Sequence, residues 1–297
     1  LASKALAFRN KSWSPIPDRP QDTLVAAARR VLETPSAATK ALLSHKIAAD
    51  WRSNKLDVTG HDDAHAAPLG RPARPLHPEL RMPRDMPRRR LGAGVTGRIA
   101  LLHAVAHIEL NAIDLAWDII ARFAAADLPR AFCDDWVKVA DEEAKHFELL
   151  SSRLDALGAA YGDLPAHDGL WQAAESTSHD LLARLAIAPL LLEARGLDVT
   201  PGMINKLEKV GDNDSAAVLN IIYRDEIGHV ATGVRWFRWV TEHRTLDPQT
   251  VFKDMVARYF KSGLKPPFNK IARDAAAFPA SWYEPLSEPA KQEPVRP

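Results

Sequence analysis

Two short segments hold residues that could grip a metal ion: Glu142-Glu143-Ala-Lys-His146 and Asp225-Glu226-Ile-Gly-His229. Each reads acid-Glu-x-x-His. On a helix, a Glu and a His three residues apart stand about 60° apart around the axis and about 4.5 Å along it, close enough to hold one ion. One Glu-x-x-His arises often by chance, but two with matching surroundings carry more weight. Glu109 precedes Glu143 by 34 residues and Glu193 precedes Glu226 by 33, so the chain twice runs glutamate, turn, Glu-x-x-His. Glu109, Glu143, His146, Glu193, Glu226 and His229 are therefore the candidate ligands of a two-metal site inside a helical bundle.

The faces these residues occupy bear on that reading. At about 100° per residue, Glu109 shares its stripe with Leu102, Val105, Ala106, Ala112, Ile113, Ala116 and Ile120. His107, Asn111, Asp114, Asp118 and Arg122 lie opposite. Glu143 stands among Trp136, Val139, Ala140, Phe147, Leu150 and Leu154, and Glu226 among Leu219, Ile222, Tyr223, Val230, Phe237 and Val240. Glu193 aligns with Leu182, Ala186, Pro189 and Leu190 on a segment that is apolar nearly all round. Carboxylates aimed into apolar interiors cost several kcal/mol each when unpaired. Two divalent cations would balance four carboxylates, with neutral imidazoles completing each sphere. Buried pairs with Lys or Arg are the competing account, but Arg98 is the one basic residue on the four inner stripes. Carboxylates with two histidines suit two iron ions, or a mixed manganese–iron or di-manganese pair, better than copper or a closed thiolate zinc site.

Neighbouring residues invite secondary roles. Asp225 and Glu142 each stand four residues before a candidate histidine and could fix its outer N–H. Tyr223, one turn before Glu226, is either a redox-active tyrosine or a core tyrosine with a bonded hydroxyl. Gly233 faces inward two turns after Glu226 and either leaves room for oxygen or substrate or lets two helices approach closely. Pro189 should kink the helix one turn before Glu193 by freeing the Leu185 carbonyl. His107 and His103 point away from Glu109, toward the surface or an interface.

Long helices must position this set. The pattern predicts helices over Val95–Ala124, Pro129–Leu157, Leu170–Arg195 and Asp214–His243, with Pro201 opening a short helix before the last. Gly158, Gly162, Gly196 and Gly211 read as loop punctuation. Two small amphipathic helices, Gln21–Leu32 and Ala37–Trp51, come first. A proline-rich stretch from Gly70 to Arg90 then reads as an extended arm lying on the bundle. One more helix near Pro248–Phe260 leads into a proline-containing tail. The divisions are residues 1–94 for the helices and arm, 95–243 for the bundle, and 244–297 for the C-terminal extension.

Bulk properties narrow the class. Across 297 residues the chain is 46% hydrophobic and 26% charged with net charge +1, so no global field steers it to nucleic acid or a membrane. The arm is locally basic, with Arg71, Arg74, Arg81, Arg84, Arg88, Arg89, Arg90 and Arg98, and could bind RNA or a phosphorylated substrate. Such arginines also commonly pair with acids on the surface they cross. Cys133 is the single cysteine, which rules out an internal disulfide and fits a reducing compartment. No run of about 18 uncharged apolar residues stands out as a membrane span, and no secretory signal is visible. The expectation is a cytoplasmic monomer or small homo-oligomer.

The chain also resembles a known group. The carriers are Gly70-Arg-Pro, Leu102-His-Ala-Val-Ala-His-Ile-Glu-Leu-Asn-Ala-Ile-Asp114, Asp141-Glu-Glu-Ala-Lys-His-Phe147 and His167-Asp-Gly-Leu-Trp171. They continue with Glu193-Ala-Arg-Gly-Leu-Asp198, Asp225-Glu-Ile-Gly-His-Val230 and Pro266-Pro-Phe-Asn269. Together they resemble the bacterial ferritin-like family catalogued as domain of unknown function 455, over about residues 70 to 275. The resemblance implies a ferritin-like fold and a metal site, but no established reaction. More distantly, the ligand scheme is similar to that of ribonucleotide reductase small subunits and a tRNA-modifying di-iron hydroxylase. The expected fold is all-α: a ferritin-like four-helix bundle with an N-terminal arm and a C-terminal helical extension. The expected activity is oxygen-activating oxidoreductase chemistry, as a hydroxylase or oxidase, using dioxygen on a small or nucleoside-type substrate. The alternative is a ferroxidase-type iron-handling protein without an organic substrate.

Overall fold

The structure is a computed structural model describing residues 23–60, 70–86, 94–124, 128–260 and 263–287. Over these residues the chain is an all-α helical bundle, and its β features are isolated bridges at Thr23–Asp57, Leu80–Ala166 and Leu264–Ser287. Helices α1 (Leu24–Glu33) and α2 (Ala37–Arg52) come first, capped by the Thr23 and Ser36 hydroxyls, which accept from the amides of Ala26 and Thr39. Gln21 and Asp22, at the expected start of the first helix, lie outside the described residues, as do Arg88–Arg90 and the end of the tail.

The bundle proper uses four long segments. The first two are α3 (Val95–Phe123) and α4 (Arg130–Ala156), and the last is α8 (Asn213–His243). Gly158 (φ +81°) and Gly211 (φ +78°) take the left-handed conformation in the turns that follow α4 and precede α8. Asp212 starts α8 by accepting from the Ser215 amide at 3.1 Å, and it meets Arg98 of α3 at 3.0 Å and Arg153 of α4 at 2.8 Å. One carboxylate thus fastens three segments at one end of the bundle.

The third segment departs from the expected Leu170–Arg195 helix. It is divided into α5 (Gly169–Ser176), α6 (Leu181–Ile187), a π-helical turn (Ala188–Glu193) and α7 (Ala194–Lys209). The first break falls in Ser176-Thr-Ser-His-Asp180, where short polar side chains compete for backbone groups. Thr177 Oγ1 donates back to the Ala173 carbonyl at 2.9 Å, and the Asp180 carboxylate caps α6 at the Leu182 amide. The second irregularity is the expected effect of Pro189, expressed as a widened turn: the Ala194 amide donates to the Pro189 carbonyl, five residues back. Pro201 does not open a new helix as expected but lies inside α7. The Leu197 carbonyl, four residues before it, accepts from Asn269 Nδ2 at 3.0 Å instead. Gly196 is likewise helical, not a loop residue.

The remaining elements wrap this frame. Helices α1 and α2 pack on α3 and α4, while α9 (Pro248–Tyr259), α10 (Lys270–Ala275) and α11 (Ala280–Tyr283) pack around α6, α7 and α8. The two short helices α10 and α11 stand where only a proline-containing tail was expected. A single apolar cluster runs from Leu24 to Tyr283, so the additions share the bundle's core.

Because of this wrapping, the polar face of α3 does not meet solvent. Asp114 is buried against Lys40 of α2 and Arg74 of the arm, and Asp118 against Arg184 of α6 and Arg122. Helix α3 is also long and apolar enough to cross a membrane by length and composition, with a mean hydropathy of 1.4 over its most apolar window. That amends the sequence expectation. Of that window, 78% is buried inside the protein, as suits a core helix.

Candidate metal centre

Each bundle segment carries one of the candidate glutamates: Glu109 on α3, Glu143 on α4, Glu193 at the end of the π turn and Glu226 on α8. Ligand atoms of Glu109, Glu143, His146 and Glu226 all lie within 4.8 Å of one another, and all four residues are buried. His229 joins them, with Nδ1 2.9 Å from Glu143 Oε1 and 3.5 Å from Glu226 Oε1. His146 Nδ1 stands 3.2 Å from Glu109 Oε2 and 3.4 Å from Glu143 Oε2. Glu143 is therefore the central residue, reached by both imidazoles. Glu193 is not part of the tight group but lines the same cavity as Glu109 and Glu226, with Oε2 shielded from solvent.

Both histidines turn Nδ1 inward and Nε2 outward, and the outer contacts cross between helices. His146 of α4 donates from Nε2 to Asp225 of α8 at 2.9 Å, and His229 of α8 donates to Glu142 of α4 at 3.0 Å. The sequence placed each acid one turn from the histidine on its own helix. The structure pairs each with the histidine of the facing helix. Lys145, adjacent to His146 on α4, reaches Asp225 at 2.5 Å. Its position next to His146 was the one available signal. A carboxylate on Nε2 fixes the protonation of the ring there and leaves Nδ1 as a lone-pair donor.

Electrostatics show why the cluster needs compensation. Burial, reinforced by Glu143, pushes the Glu109 carboxyl well above its ordinary range. Burial also raises Glu193, helped by Glu226 and Glu143, and it raises Glu226. Burial opposes ionisation of Glu143 too, but the imidazoles of His229 and His146 outweigh it and hold that carboxyl low. Burial disfavours charge on His146 and His229, yet the surrounding carboxylates raise both well above the usual imidazole range. Without cations, four clustered carboxylates must share protons among themselves and the two rings.

The buried Glu and His cluster could hold metal ions. Both carboxylate oxygens of Glu143, Oε2 of Glu193 and Nδ1 of His229 are buried and lack a hydrogen-bond partner. Buried polar atoms are rarely left so, and those of Glu143 and His229, set among the clustered carboxylates, mark a place for an ion. Positive charge bound there would replace the shared protons.

Several neighbouring residues resolve. The Tyr223 hydroxyl accepts from Asn269 Nδ2 at 2.8 Å, so it has the bonded partner of a core tyrosine. Gly233 serves close packing: a Cβ there would lie 2.6 Å from Pro189 Cβ and 2.8 Å from Pro189 Cγ. His103 and His107, expected at the surface, are buried at 1% and 5% exposure. The loop after α4 folds over them. His107 bonds Tyr161 Oη at 2.9 Å and the His167 carbonyl at 3.1 Å, and His103 Nε2 accepts from the Gly162 amide at 2.9 Å. In the arm, Arg71 and Arg74 meet Asp168 and Asp114, and Arg81 and Arg84 meet Glu79 and Asp85, while Arg98 of α3 meets Asp212.

Comparison with known proteins adds kinship without a reaction. The family described as "Protein of unknown function (DUF455)" matches residues 33–284. An "Uncharacterized protein" of Haemophilus influenzae is 43% identical over 209 residues, covering 69% of this chain and 72% of that one. No solved structure matches.

Proposed function

The chain belongs to the DUF455 family, and from that premise we propose that it is a ferritin-like, two-metal, oxygen-activating oxidoreductase that holds iron. Glu109, Glu143, Glu193 and Glu226 with His146 and His229 would hold the ions, one Glu-x-x-His pair on each of two helices and one glutamate on each of the others. Bound there, the ions would supply dioxygen activation.

The protein's own residues have separate work. Asp225 and Glu142 keep a proton on each outer Nε2 and so hold each Nδ1 toward the centre. Lys145 holds Asp225 in place. In a hydroxylation, a substrate C–H becomes C–OH with one oxygen atom, and the other leaves as water. That balance takes two protons and two electrons from an external reductant.

One observation favours an enzyme over an iron store: a cavity of about 240 Å³ ends on Glu109, Glu193 and Glu226, and its wall is otherwise overwhelmingly apolar. A hydrated ion gains nothing from such a wall. An organic molecule does. The test is to load the protein anaerobically with Fe(II), mix it with oxygenated buffer and follow visible absorbance and oxygen uptake. A transient absorbance with uptake faster than free Fe(II) in the same buffer is expected. Uptake no faster than free Fe(II) would overturn the oxygenase reading.

A further inference from the structure

The same cavity constrains what the centre acts on. It opens between α3, α5 and α7, and its rim includes Ile108 at 46% exposure and Val199 at 36%, two apolar side chains left in water. Inward, Ala112, Leu219 and Ile222 lead to the carboxylates. At ~30 Å³ per water-sized volume, the space holds about eight such volumes, the bulk of a molecule of roughly ten non-hydrogen atoms.

Charge narrows the class further. Among the described residues of the wall, Arg195 is the one Lys or Arg, and its guanidinium is engaged by the Lys265 carbonyl at 2.7 Å and by Asp198 at 3.4 Å. An anionic group on a bound molecule would lose its hydration without gaining a free Lys or Arg on that wall, and Glu109, Glu193 and Glu226, which could otherwise pair with a cationic group, are the carboxylates proposed to hold the metals.

Gly196 supplies an independent sign that space is kept here. It lies within α7, where glycine costs about 1 kcal/mol relative to alanine. It lines the cavity, and a Cβ built on it meets no atom within 4 Å. This contrasts with Gly233, where a Cβ would collide with Pro189. Gly233 thus serves contact, whereas Gly196 leaves a void on the cavity wall.

We propose that this cavity is the substrate site and that its occupant is a neutral, predominantly apolar small molecule, entering past Ile108 and Val199 to reach the carboxylate side of the metal centre. The inference rests on the reading of the centre as one that acts on an organic substrate. The histidine side is closed by Asp225, Lys145 and Glu142, so the approach is one-sided.

The test is calorimetric titration of the full chain, metal content measured beforehand, with 1-aminonaphthalene, a neutral two-ring probe. Saturable binding at one probe per chain is expected. Gly196→Leu, which places a side chain in the open space, should weaken binding at least about tenfold. Val199→Lys, an exposed substitution that sets an ammonium at the rim, should weaken it about threefold or more. Metal content should be unchanged in both. A folded, metal-replete protein with no saturable binding, or with equal affinity in all three forms, would overturn the proposal. Low metal content with intact, variant-sensitive probe binding would count against the metal reading instead, and leave the cavity's ligand class standing.

Discussion

Replacing Gly233 by alanine sets two opposing effects against each other. Alanine is the better helix former, and an unobstructed site would gain about 1 kcal/mol. The new Cβ would, however, sit 2.6 Å and 2.8 Å from two carbons of the Pro189 ring, where carbon atoms settle at roughly 3.5–4.0 Å. About 1 Å of separation must be found. A proline ring cannot rotate aside, so α8 or the π turn has to move. Overpacking of this kind costs about 1–3 kcal/mol, and the rigid obstacle places it in the upper half of that range. The net is a loss of about 1–2 kcal/mol. Because Pro189 and Glu193 share the π turn, the same shift should weaken metal binding. Urea unfolding of the metal-free protein, followed by circular dichroism, reads the first effect without contribution from bound ions. Metal titration reads the second. A Gly233→Ala protein stabilised by about 1 kcal/mol, with unaltered metal affinity, would refute the close-packing argument.

Asp225→Asn and Glu142→Gln should each lower metal affinity by roughly 10–100-fold while leaving helical content intact, measured by competition with a chelator. Asp114→Ala should destabilise by about 3–5 kcal/mol in thermal or urea unfolding, because it strands the buried Lys40 ammonium and Arg74, while Lys40→Met with Asp114→Leu should cost far less. Burial, helped by Asp134, pushes the Cys133 thiol up to about 11. The folded state therefore keeps its proton after an unfolded thiol, at about 8.5, has lost one. Stability should fall as pH rises from about 9 to 11, and that share of the fall should vanish in Cys133→Ala. Native Cys133 should also react slowly with thiol reagents at pH 8.

The long helices α3, α4 and α8 and the gathering of Glu109, Glu143, His146 and Glu226 were legible because a helical period of 3.6 residues ties position to face. The crossing of Asp225 to His146 and of Glu142 to His229 was not, since periodicity on one helix says nothing of how its neighbour is docked. The burial of His103, His107, Asp114 and Asp118 escaped for the same reason: α3 has two apolar neighbourhoods, and its polar side chains meet partners from distant sequence. Pro189 signalled a distortion but not its form, and Pro201 misled because the Asn269 side chain that accommodates it lies 68 residues later in the chain. Gly196 and Gly233 look alike in sequence. Only their surroundings separate void from contact.

Metal counting tests the central claim most directly. Protein loaded anaerobically with Fe(II) and freed of excess should retain two ions per chain, and Glu143→Ala, which removes the carboxylate both histidines approach, should retain markedly fewer while remaining helical. Retention well below two ions by the wild-type protein under loading conditions, or equal retention by the Glu143→Ala variant, would contradict the account.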